Sequence, residues 1–196
     1  SYRPWRAVVS RRMETARTRS TLLSRRSRGP VLGAAAFFAL TFAAGAQPRD
    51  IQDVSVLGIK NALLEKAATG AVSLALQKLA RPRCQQIFTD FHDAAGAPLQ
   101  SRLDALGYSG SHFLETLRFA NGERTEPCQS TKVLAATAPN SHVIFLCGLQ
   151  FFERQRQSPE FSAALVIHEM LHSLGLGENP PSSNEITMRV IDRCGK

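Results

Sequence analysis

The sequence lacks an apolar run of the ~20 residues that a membrane-spanning helix needs; its longest, Val31 to Ala46, falls short. It has no C-x-x-C pair, which argues against a metal held by thiolates. No internal repeat and no low-complexity stretch occurs, so neither a solenoid nor a biased tail is expected. Beyond residue 46 it also lacks any surplus of positive charge, although the whole chain carries a formal +8. Nine Arg (Arg3, Arg6, Arg11, Arg12, Arg17, Arg19, Arg25, Arg26, Arg28) stand against Glu14 alone before that point, leaving 15 basic and 15 acidic side chains after it. No basic stripe with interleaved aromatics remains, which excludes nucleic acid as the expected partner.

What is present at the N-terminus reads as an export signal. A basic stretch ends at Arg28, the apolar run follows, and Ala44-Gly45-Ala46 before Gln47 has the small-x-small form of a cleavage site. Met13 fits a start position, and Ser24-Arg25-Arg26 carries part of a twin-arginine pattern. No cysteine follows the expected cut, so no lipid anchor is expected. Residues 1–46 are therefore expected to be removed. Residues 47–196 would form a single secreted or periplasmic domain without stable membrane association, long enough for a real core. Cys84, Cys128, Cys147 and Cys194 then meet an oxidising setting, and an even number predicts two disulfides with three connectivities open. A Cys128–Cys147 bridge is one way to hold the segment before Cys147.

Residues 47–58 read as a loose lead-in. From Lys60 to Leu79, Leu63, Leu64, Ala67, Ala71, Leu74, Ala75 and Leu79 recur at helical spacing, with Gly70 a weak point. Arg81-Pro82 stops that helix, a short helical stretch runs from Cys84 to Phe91, Ala95 to Pro98 is turn-like, and Leu99 to Leu106 is helical. Phe113 to Phe119 begins with strand-like alternation and Asn121-Gly122 ends it. Lys132–Thr137 and His142–Cys147 read as short strands, the second apolar enough to be covered on both faces. Ser158-Pro159-Glu160 starts a helix that Gly175 terminates, and Ser182 to Glu185 starts a last one towards Cys194.

Inside the penultimate helix lies His168-Glu169-Met170-Leu171-His172, an H-E-x-x-H pattern. Residues i and i+4 share one helical face, so both imidazoles can reach one ion. Glu169 is rotated by roughly 100° from His168, which sets its carboxylate beside the ion, where it can accept a proton from a coordinated water. Zn2+ is the expected cofactor, His168 and His172 its ligands and Glu169 the catalytic base. Glu178 is the favoured third ligand. Glu185 is its rival, although its spacing after Ser182 is that of a capping box. Tyr108, His112 and His142 are weak candidates to steady a developing oxyanion, and the strand His142–Cys147 could bind an extended substrate by edge pairing.

The continuation His172-Ser173-Leu174-Gly175-Leu176-Gly177-Glu178 resembles the metzincin clan of zinc peptidases, whose motif is H-E-x-x-H-x-x-G-x-x-H or ends in Asp. Gly175 matches the glycine of the turn and Glu178 stands where the third ligand does; no Met-containing turn follows. Val143 to Cys147 with Phe151-Phe152 is similar to the segment before the same motif in aspzincins, whose Gly-Thr-x-x-Asp ligand motif is absent. The stretch from His168 to Thr187 also resembles bacterial exported proteins described as metallopeptidases. The resemblances imply a zincin-like α+β domain, with a short sheet packed on the active-site helix and further helices around it. They imply a hydrolase acting on peptide or protein substrates. A non-catalytic metal-binding or interaction module and an amidase of cell-wall peptides are the alternatives.

Overall fold

A computed structural model of the chain describes residues 59–195, so the expected export segment and the lead-in at 47–58 lie outside the described residues. Asn61 starts α1 (Ala62–Leu79): its side-chain oxygen accepts from the backbone N–H groups of Leu63 and Leu64 at 3.0 and 3.3 Å. Leu64, Ala67, Ala71, Ala75 and Leu79 form the buried stripe, widened by Ala68 and Val72. Pro82 opens α2 (Pro82–Gln85), α3 (Ile87–Asp90) follows, and together they bury Cys84, Ile87 and Phe88. Asp93 turns the chain by accepting from Ala95 and Ala97, and α4 (Leu99–Leu106) ends on Gly107 in the left-handed conformation.

Phe113 to Phe119 departs from the strand expectation. Ser109 caps a helix, α5 (Gly110–Thr116), its hydroxyl accepting from the His112 N–H at 3.1 Å. Phe113, Leu114 and Leu117 are buried at i, i+1 and i+4, a helical stripe that the first alternating residues conceal. Only then does β1 (Arg118–Asn121) begin, followed by β2 (Ala135–Ala136) and β3 (Val143–Leu146). The order is β1-β3-β2; β1 lies parallel to β3 with Arg118 opposite Val143, and β2 antiparallel with Ala135 opposite Leu146. β1 covers one edge of β3 along its whole length and β2 covers the other at Phe145 and Leu146, so edge pairing of a substrate is not open at those two residues. Nor is it fully covered: Ile144 and Leu146 are buried, while Val143 and Phe145 are half-buried.

The remaining chain forms α6 (Gly148–Gln157), α7 (Pro159–Ser173) and α8 (Ser183–Cys194). Every residue from Ser162 to Ser173 is buried, so α7 has no solvent face over that length. α1, α6 and α8 pack around it, and β2 and β3 lie against it, giving a mixed α/β fold with one apolar core. α8 begins with the expected capping box, Ser182 accepting from the Glu185 N–H and Glu185 accepting from the Ser182 N–H. Its far end is tied three ways. Cys194 is bonded to Cys84, the buried Lys78 ammonium donates to the Cys194 carbonyl at 3.0 Å and pairs with Glu160, and Arg193 forks onto Asp90 at 2.7 and 2.9 Å.

The second disulfide joins Cys128 to Cys147, the connectivity that holds β3. Two disulfides and no free cysteine fit an oxidising compartment. Among the described residues no helix is long and apolar enough to cross a membrane. The Cys84–Cys194 bridge closes a separation of 110 residues, so it restricts the unfolded chain strongly. Replacing both cysteines by Ala is expected to lower stability by about 2–5 kcal/mol, read as a lower denaturant midpoint; an unchanged midpoint would show the bridge to be idle.

Candidate metal centre

Pro159 sits at the first position of α7, as expected, but Ser158 makes no side-chain cap bond; Glu160 meanwhile turns to Lys78. The helix ends as the sequence suggests. Gly175 takes φ +108°, its N–H donates to the His172 carbonyl at 2.8 Å, and the Leu176 N–H donates to the Leu171 carbonyl at 3.0 Å. This pair of bonds is the Schellman closure, and it turns the chain back towards the helix face that carries the histidines. The same closure aims the Leu176 carbonyl at His172 Nδ1, 2.8 Å away. A carbonyl only accepts, so His172 carries its proton on Nδ1 and turns the Nε2 lone pair inward.

His168 and His172 are 2 % and 5 % exposed, and their Nε2 atoms lie 3.0 Å apart. Glu178 Oε1 stands 3.4 Å from His172 Nε2 and 3.7 Å from His168 Nε2, and these three ligand atoms all fall within 4.8 Å of one another. A tetrahedral cation with bonds of about 2.0–2.1 Å holds its ligand atoms roughly 3.3 Å apart, so the triangle fits one. His168, His172 and Glu178 could therefore hold a metal ion. Glu178 is the exposed member, leaving the group open to solvent on that side. Glu185 does not join it: its carboxylate accepts from the Ser182 N–H and hydroxyl, both at 2.7 Å, and these bonds hold its pKa below the usual range.

The ring of His168 is fixed at its other nitrogen by Thr187 on α8, with Nδ1 2.9 Å from the hydroxyl oxygen. Sequence reasoning missed Thr187, which lies 19 residues from His168 with no motif linking them. Burial, and then the neighbouring His172, push the His168 pKa down to about 3, so this ring is neutral at physiological pH, as a metal ligand must be. Glu169 is 5 % exposed, and burial followed by the charge of Glu178 raises its pKa to about 8, against a hydrogen bond from the Thr137 N–H. It borders a cavity of about 360 Å³ whose walls include Leu134, Phe161, Leu165, Met188 and Ile191. Tyr108 stacks on His112 with ring centres 4.3 Å apart and His142 meets Phe113 edge-on; none of the three lines that cavity.

Two outcomes follow from this geometry. Gly175→Ala puts a side chain at a strongly positive φ with Asn140 Oδ1 3.2 Å from its Cβ, so it is expected to destabilise by about 1–3 kcal/mol and to weaken metal binding with it. Equal metal affinity in that variant would show the Schellman turn to be irrelevant to the ligands. Glu169, with its folded pKa raised, binds more protons folded than unfolded. Its contribution in chelator-treated protein is present below about pH 4.5 and disappears as pH rises through about 8. The stability of the parent relative to Glu169→Gln should fall across that window in denaturant titrations; a flat difference would refute the assignment.

Comparison with protein-family models, with curated proteins and with solved structures finds no match to this chain.

Proposed function

We propose that this chain is an exported zinc-dependent peptidase built on a small zincin-like domain. One observation carries the reading: two imidazoles one helical turn apart share a focus with the Glu178 carboxylate, and the adjacent Glu169 is buried beside them. Two nitrogens and one oxygen suit zinc better than magnesium or calcium, which favour all-oxygen shells. His168, His172 and Glu178 would hold the ion, and three protein ligands are the number that catalytic zinc sites use. The resemblance of residues 168 to 178 to the metzincin motif supports the same reading.

When bound, zinc supplies Lewis acidity, making a water acidic enough to lose its proton near neutral pH. Glu169 would accept a proton from the attacking water and return it to the leaving amine, the role that its place one residue after His168 gives it. Thr137 holds the carboxylate by its N–H just beyond β2. The cavity alongside takes an apolar side chain of the substrate, with Leu165 and Met188 among its walls.

The test is metal content and turnover of the full chain. Glu169→Gln should retain one zinc while activity on a mixed peptide library falls by about 10²- to 10⁴-fold, and His168→Ala and His172→Ala should lose the metal. Full activity in Glu169→Gln, or no zinc on the parent, would end the proposal. Digestion of peptidoglycan in place of peptides would move the assignment to a cell-wall amidase, and bound zinc without turnover of either would make this a binding module.

A further inference from the structure

We infer that Thr187 is a positioning residue for the metal centre: its hydroxyl accepts from His168 Nδ1 and so holds the ring with the Nε2 lone pair towards the cation. The inference rests on the metal-binding reading of His168, His172 and Glu178. It begins with an asymmetry between the two rings. His172 is held by the Leu176 carbonyl, four residues along its own helix end, and a carbonyl fixes a single tautomer. His168 is held from another helix by a hydroxyl at 2.9 Å, which can play either part.

A neutral ring that offers its Nε2 lone pair to a cation carries its proton at Nδ1. At that nitrogen His168 meets the Thr187 hydroxyl oxygen, 2.9 Å away, which can accept that proton and hold the ring with Nε2 turned towards His172 and Glu178.

A hydroxyl accepts here without setting a further charge beside the ring. Its position is in turn set by α8, whose N-terminus is fixed by the Ser182–Glu185 capping box and whose C-terminus is fixed by Cys84, Lys78 and Asp90. The bland competitor is that Thr187 merely walls the cavity beside Glu169, which it also lines. Valine has nearly the same shape, so it keeps the wall and removes the hydroxyl.

The experiment compares the full chain with Thr187→Val and Thr187→Ser. The measurements are zinc and cobalt dissociation constants by competition with a chromophoric chelator, the visible spectrum of the cobalt form, and the thermal midpoint in EDTA. Thr187→Val should bind both ions about 10- to 100-fold more weakly with an altered cobalt spectrum, while its midpoint in EDTA stays near that of the parent. Thr187→Ser should restore most of the affinity and the parent spectrum. If Thr187→Val does not fold, Thr187→Ala takes its place against Thr187→Ser. Parent-like affinity in the Val or Ala variant, or equal weakness in the Ser variant, overturns the inference while leaving the metal centre standing. If the parent binds neither ion, the metal reading itself fails and this inference falls with it.

Discussion

Helix α7 has no solvent face along most of its length, yet it carries two imidazoles and a carboxyl into that interior. Burying such groups is unfavourable unless each polar atom finds a partner, and the surrounding structure meets that demand one atom at a time. The helix end supplies the Leu176 carbonyl, α8 supplies the Thr187 hydroxyl, the segment after β2 supplies the Thr137 N–H, and the rings face each other. The partners come from three different elements, so the packing of α8 and of the sheet on α7 also determines the site.

Much of this was legible because its causes are local. The pair His168 and His172 follows from helical periodicity, the end of α7 from a glycine, the residue type that readily adopts φ +108°, and the start of α8 from a capping box. The preference for Glu178 over Glu185 follows likewise, since one carboxylate lies just past the turn and the other is engaged with Ser182. What stayed hidden depends on contacts distant in sequence or on weak patterns. α6 opens on Gly148 at positive φ without a capping side chain and buries only Gly148 and Phe151, so it offers little signal. α5 was hidden by alternation over its first residues, and β2 is two residues long, below what any periodicity can register.

The electrostatics of the site form a second level of organisation. Low polarizability around His168 favours its uncharged ring, which is the form that donates a lone pair. The same surroundings penalise the charge on Glu169, and Glu178 adds to that penalty. A cation held by His168, His172 and Glu178 would act against both effects on Glu169.

The bridge between Cys84 and Cys194 has a consequence beyond folding. It encloses α3 to α7, the whole sheet and nearly all of α8 within one covalent ring. A single cut by any protease inside that ring leaves the two ends tethered, with the severed halves of the core still packed side by side. Loop nicks that would release a fragment from a linear chain become local wounds here, and a clipped molecule keeps the residues of the centre together.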